Sequence, residues 1–291
     1  MSIAGAPKRR HFPLASPDTL PGRGFPFLFG FFIDGNFIVW YNNMNIFEIE
    51  VILMKRPIRV PFFEVGTKNY VYGDHLLELA KAADKFAEKY DVDVLFFCPA
   101  LEVRRVAENT KNLFVMCTYM DTLRPGRGCA DILPEGVKAA GACGIMVNHC
   151  EKPMSLPQIK KTIDRARELD MYVFACADSI AEGKAIANLH PDIINPEPSD
   201  IIGGGNGASP MDYVLASIQE IKAIDPAIMV EQAAGITNGQ EVYDFIMAGS
   251  EAAGAASGIM NAEDQVGKME EMIAATARAK ADLIKQGKIK G

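Results

Sequence analysis

From residue 58 onward, short apolar runs alternate with longer stretches in which apolar positions recur every three or four residues. The runs are RVPFFEV, DVLFFCP, LFVMCT, GIMVNH, YVFACA, DIINPE, IMVEQA and EAAGAAS, each short enough for a strand and mostly apolar on both faces. Between them lie helical patterns: DHLLELAKAADKFAEKY, EVRRVAENT, PEGVKAAG, LPQIKKTIDRARELD, IAEGKAIANL, MDYVLASIQEIKAI, GQEVYDFIMAG and a long last one from Ala262. Punctuation agrees, with Asp74 placed to cap the first helix, Pro134 in the first turn of the third, and Asn238 or Gly239 opening the seventh. Strands apolar on both faces and joined by helices imply a parallel sheet covered by helices. Eight such units in this length fit a closed (β/α)8 barrel, with a doubly wound open sheet as runner-up. No GxGxxG follows the first run, which weakens a dinucleotide-binding reading.

Residues 1–53 do not share the rhythm. They hold ten of the 25 Phe, Trp and Tyr residues, including the only Trp, and show no helical periodicity. We read them as an irregular N-terminal extension, either an over-extended translation start with Met54 as the natural beginning or an arm that packs on a partner subunit, and residues 54–291 as the barrel domain. The apolar run FPFLFGFFI stops at Asp34 and is interrupted by Pro26 and Gly30, so it does not reach the length of a spanning helix. No small-residue cleavage site follows it.

Composition narrows the partners. A net charge of −7 with no basic block argues against nucleic acid, and an anionic substrate would have to be attracted locally. The six cysteines contain no CxxC pair and mostly sit in strand-like runs, which reads as buried reduced thiols and a cytoplasmic protein. No metal-ligand spacing is present, and no cofactor or membrane is implied.

In a (β/α)8 barrel, chemistry gathers at the C-terminal ends of the strands. There the chain places Lys68 after the first strand, Asn148, His149 and Glu151 after the fourth, Glu197 after the sixth, and the small-residue loops AAGIT and ASGI after the last two. Each has a bland reading alone: a solvated lysine, a core histidine, a salt-bridging acid, glycine turns. Together, a carboxylate base, an imidazole, an ammonium and exposed backbone amides suit proton transfer beside a carbonyl on a small phosphorylated sugar.

At these residues the chain resembles the triosephosphate isomerase family, nearest its short archaeal-type branch, from about Arg59 to Met260. The segments GTKNYVYG, RPGRGCADILPEGVKAAGACGIMVNHCEKPM, PEPSDIIGGG, EQAAGITNGQEV and GAASG carry the resemblance. It implies a TIM barrel and a cofactor-free aldose–ketose isomerase acting through an enediolate. That family is itself the model case of a carboxylate base working with a neutral histidine. It further implies Glu197 as catalytic base, His149 as electrophile, and Lys68 and Glu151 as their partners. Pro198 to Gly204 would be a loop closing over substrate, with Gly203 on the phosphate. Gly235, Ala256 and Ser257 would complete the phosphate site, and the protein would form homodimers or homotetramers. Pro196 and Pro198 would restrict the backbone around the base.

Departures are equally specific. Gly66 stands where the family usually has an Asn that touches the substrate oxygens. Cys150 replaces a serine, Tyr119 a short polar residue or histidine, and the loop Gly128 to Asp131 a Thr-Gly core. Gly66 would leave room for a longer polyol, such as a tetrulose phosphate. Two further readings are a barrel aldolase using Lys68 as a Schiff base and a non-catalytic phosphosugar binder.

Overall fold

A computed structural model describes residues 28–33, 36–41, 52–198 and 207–290. The chain divides between Met54 and Lys55 into two compact units. In the first, Leu28–Ile33 (β1), Asn36–Tyr41 (β2) and Ile52–Met54 (β3) form an antiparallel sheet in the order β1–β2–β3. Leu28 pairs with Tyr41, Ile33 with Asn36, and Phe37 with Met54. This is regular structure that the missing helical rhythm did not foretell.

In the second unit every apolar run becomes a strand. Phe62–Gly66 (β4), Val94–Cys98 (β5), Phe114–Cys117 (β6), Gly144–Val147 (β7), Tyr172–Ala177 (β8), Ile193–Pro196 (β9), Met229–Gln232 (β10) and Ala252–Ala255 (β11) pair in parallel and close into a barrel. Closure runs through β11 and β4, with Ala252 opposite Phe62 and Ala255 opposite Val65. The helices follow in alternation: Gly73–Tyr90 (α1), Val103–Asn109 (α2), Pro134–Ala139 (α3), Leu156–Glu168 (α4), Ile180–Ala187 (α5), Met211–Lys222 (α6), Gly239–Met247 (α7), Ser257–Met260 (α8) and Gln265–Lys285 (α9).

The strands are apolar on both faces because each face packs against something different. Phe63, Val65, Val94, Phe96, Ile145, Val173 and Ile194 point outward into the layer shared with the helices. Phe62, Leu95, Phe97, Phe114, Met116, Tyr172, Phe174 and Ile193 point inward and fill the barrel. The period of two along each strand thus divides one sequence run between two cores.

Residues 55–60 lie across the N-terminal ends of the strands. Ile58 and Val60 pack on the interior cluster. The Tyr172 hydroxyl donates to Arg56 O at 2.7 Å, and Arg56 donates to Asn112 O at 2.8 Å while its guanidinium stacks 3.8 Å from the Phe114 ring. Lys55 lies 3.9 Å over the Tyr172 ring and pairs with Asp192, and Arg59 pairs with Asp93 at 2.7 Å. The strap closes the end of the barrel opposite the loops that carry chemistry.

Two expectations need correction. Asp74 does not cap α1: the cap position is Tyr72, without a side-chain cap, and Asp74 lies in the first turn and pairs with Arg105 instead. The final helix begins at Gln265, preceded by the one-turn α8, because the Asp264 carboxylate caps it by accepting from the Gly267 N–H at 2.8 Å. Asn238 caps α7 as expected, accepting from Gln240 and Glu241.

Candidate active site

The loops after the strands enclose a cavity of about 360 Å³ at the C-terminal mouth. Lys68, His149, Glu151, Glu197, Gly66, Gly235, Ala256 and Ser257 all line it, so eight of the nine site residues read from the sequence converge. The ninth, Gly203, and most of the loop from Pro198 to Gly204 lie outside the described residues.

Backbone geometry at the strand ends aims these groups. Lys68 and Asn148 have left-handed φ values of 44° and 59°, unusual for residues with a side chain. The Asn148 amide is held three ways. It donates to Cys176 O at 3.1 Å and to Glu182 at 3.0 Å, and it accepts from the Met154 N–H at 2.8 Å. That clamp fixes the chain just before His149. The Glu197 N–H donates to Ala177 O at 2.8 Å, extending the β9 register to the base itself.

The imidazole is set by its neighbour's backbone. The Glu151 N–H donates to His149 Nδ1 at 3.1 Å, which leaves Nε2 to carry the ring proton. Desolvation, reinforced by the Lys68 ammonium and only partly opposed by Glu151, pushes the His149 pKa down to about 4. The ring is therefore a neutral donor at physiological pH.

Lys68 Nζ pairs with Glu151 Oε1 at 2.8 Å. Burial alone would depress the ammonium, but the hydrogen bond to Glu151 and the charges of Glu151 and Glu197 hold it above its ordinary value. A Schiff-base lysine needs the opposite shift, so the aldolase reading loses its nucleophile. Burial also opposes ionisation of Glu151, and Lys68 overcomes it, keeping that carboxylate below its ordinary range.

Glu197 is half-buried, and desolvation pushes its pKa up to about 7, against the pull of Lys68 and a hydrogen bond from the Asn195 side chain. A carboxylate so poised is half ionised at neutrality and a stronger base than an ordinary one.

Gly66 departs from expectation. A methyl carbon there would lie 2.8 Å from Glu64 Oε1 and 3.2 Å from Ala256 Cβ. The room foreseen for a longer polyol is already taken by the Glu64 carboxyl. Tyr119 also reaches the cavity, its hydroxyl donating to Asp121 at 2.7 Å. The loop Gly128 to Asp131 is exposed.

Comparison with known proteins follows the same outline. The family model described as triosephosphate isomerase matches residues 65–276. The chain belongs to the triosephosphate isomerase family. Among curated relatives, the triosephosphate isomerase of Methanothermus fervidus is 34% identical over 223 residues, spanning 76% of this chain and 99% of the relative. That of Methanocaldococcus jannaschii is 31% identical over 210 residues, 71% of this chain and 95% of its own. That of Methanobacterium bryantii is 33% identical over 208 residues, 70% and 92% respectively. The relatives place this member of the triosephosphate isomerase family in the archaeal-type branch.

Sequence reasoning missed three polar residues inside the barrel: Asn195 behind the base, and the acids Glu64 and Glu231 on β4 and β10. All three are buried. The signal was present, since an acid at an inward position of an otherwise apolar strand costs too much to keep without a partner or a task.

Proposed function

We propose that this protein interconverts D-glyceraldehyde 3-phosphate and dihydroxyacetone phosphate without a cofactor. The observation that carries the reading is a carboxyl poised near pH 7 and a neutral Nε2–H imidazole facing one cavity, with an ammonium bound beside them. Glu197 removes the proton from the carbon next to the carbonyl and returns it to the neighbouring carbon. His149 donates from Nε2 to the oxygens as charge builds on the enediolate, and Lys68, held by Glu151, balances that charge. Backbone amides at Gly235, Ala256 and Ser257 take the phosphate, joined by Gly203 when the loop from Pro198 closes and excludes water.

A coupled assay on triose phosphates beside four-carbon ketose phosphates tests the substrate. Glu197→Gln is expected to lower turnover by about 10²–10⁴ while leaving the circular dichroism spectrum intact. Unchanged turnover would remove Glu197 from the mechanism. We also infer a homodimer or homotetramer, to which the exposed Tyr72 and Leu101 past β4 and β5 would contribute; light scattering reads the state directly. A cytoplasmic setting fits the free thiols Cys98, Cys117 and Cys176, all buried.

A further inference from the structure

The interior of the barrel carries two acids that the proposed proton transfer does not use. Glu64 projects inward from the middle of β4, is 4% exposed, and forms part of the cavity wall. Glu231 projects inward from β10 and is fully buried, with both carboxyl oxygens lacking a hydrogen-bond partner among the described residues. Between them on β11 stands Gly254. A methyl carbon at that position would collide with Glu64 Oε2 and Glu231 Oε1 together, each under 3.0 Å away. The two carboxyls therefore face one another across the space left by that glycine.

Desolvation, with each other's charge and that of Glu197, holds both acids well above the ordinary carboxylate range, and only Lys68 acts the other way on Glu64. Two acids this close with no cation bonded to them favour keeping a proton between them, and whichever carboxyl carries it donates as well as accepts. Glu64 Oε1 sits 2.8 Å from where a side chain at the cavity-lining position 66 would begin, while Oε2 is the oxygen turned toward Gly254. A buried carboxyl oxygen that opens on a cavity takes its hydrogen-bond partner from whatever fills the cavity.

We propose that Glu64 is a substrate-contacting residue, its carboxyl rising from the barrel floor to hydrogen-bond the oxygens on the reacting carbons in place of a side chain at Gly66. The class of ligand it takes is a short hydroxy-carbonyl phosphate, and in naming isomerisation as its purpose the inference rests on the function proposed above. The binding geometry does not need that function. With phosphate held at the rim above β10 and β11, as proposed above, Glu64 meets the carbon skeleton below.

Calorimetry with two probes, inorganic phosphate and glycerol 3-phosphate, separates rim from floor. Glu64→Val is expected to weaken glycerol 3-phosphate about tenfold and leave inorganic phosphate unchanged. Glu64→Gln, which keeps a neutral donor and acceptor, should stay within about threefold of the parent. In the isomerase assay the valine variant should lose about 10- to 100-fold in kcat/KM, and Glu64→Val/Gly66→Asn should recover at least about tenfold of it by returning an amide from position 66. Glu64→Leu, read the same way, guards against a folding defect peculiar to valine. Equal losses in the glutamine and valine variants, a parallel fall in phosphate binding, or no change in either variant would overturn the proposal. A parent protein inactive on triose phosphates that still shows the two-probe difference would overturn the proposed reaction and leave the Glu64 contact standing.

Discussion

Replacing Asn195 with alanine should move the acid limb of the activity profile to higher pH. Asn195 is buried on β9 and its side chain donates to Glu197, one of two influences that pull the base's pKa down to about 7 from where burial would set it. The amide oxygen has no partner among the described residues, so the hydrogen bond to Glu197 is the contact that matters. A hydrogen bond to a charged group contributes about 1.5–3 kcal/mol, or roughly one to two pH units. At pH 7 half of the free parent carries an ionised base; after the substitution that share falls to about 10% or 1%, lowering kcat/KM about 5- to 50-fold. At pH 9 to 9.5 most of the loss should be recovered, because the base is again ionised while Lys68, its pKa raised by Glu151, stays charged. Initial rates at subsaturating dihydroxyacetone phosphate, from pH 5.5 to 9.5, give the two profiles. The substrate's own phosphate titrates near pH 6 in both and cancels from their ratio. Superimposable profiles, or a loss that persists unchanged at pH 9.5, would refute the assignment of Asn195 as the residue that tunes the base.

Three further outcomes follow from the same geometry. NMR of the His149 ring should give a midpoint near 4 with the proton on Nε2, well below the ordinary 6.5; a midpoint at or above 6 contradicts the neutral donor. The folded-state pKa of Glu231 lies above the ordinary 4.5, so its contribution to stability is fully present below pH 4.5 and declines as pH rises toward the folded value, by up to about 1.4 kcal/mol per pH unit. Glu231→Gln should therefore match the parent in urea unfolding at pH 4.5 and exceed it at pH 8, and a difference of opposite sign or independent of pH would count against the shared proton. Gly254→Ala forces a methyl between two carboxyls and to within 2.7 Å of Glu64 Cβ, and should cost about 1–3 kcal/mol in thermal unfolding; an unchanged Tm would mean the acids do not face each other there.

The barrel was legible because each strand is buried on both sides, which leaves an unbroken apolar run between amphipathic helices. The rim residues were legible for a related reason: a lysine, histidine or glutamate that ends such a run must leave the core at the strand's C-terminal end. What sequence reading lost was inside. Glu64 and Glu231 interrupt FFEV and MVEQ, but a single acid in a strand does not reveal that another strand's acid faces it, and Gly254 between them reads only as a small residue. Asn195 was absorbed into the strand that carries it. Gly66 was read as vacancy because its neighbour two positions earlier, on the same face, was not counted as able to fill it. The cap at Tyr72 escaped because no side chain caps that helix, so no polar signature marks its start.

The strap of residues 55–60 has a practical meaning for anyone dividing the gene. Lys55, Arg56 and Arg59 grip Asp192, Tyr172, Phe114 and Asp93 across the barrel's base, and the apolar side chains of Ile58 and Val60 seal it. A shortened polypeptide that starts at Met54 keeps this stopper whole, whereas one trimmed to Pro61 would uncork the interior aromatic cluster to water from below.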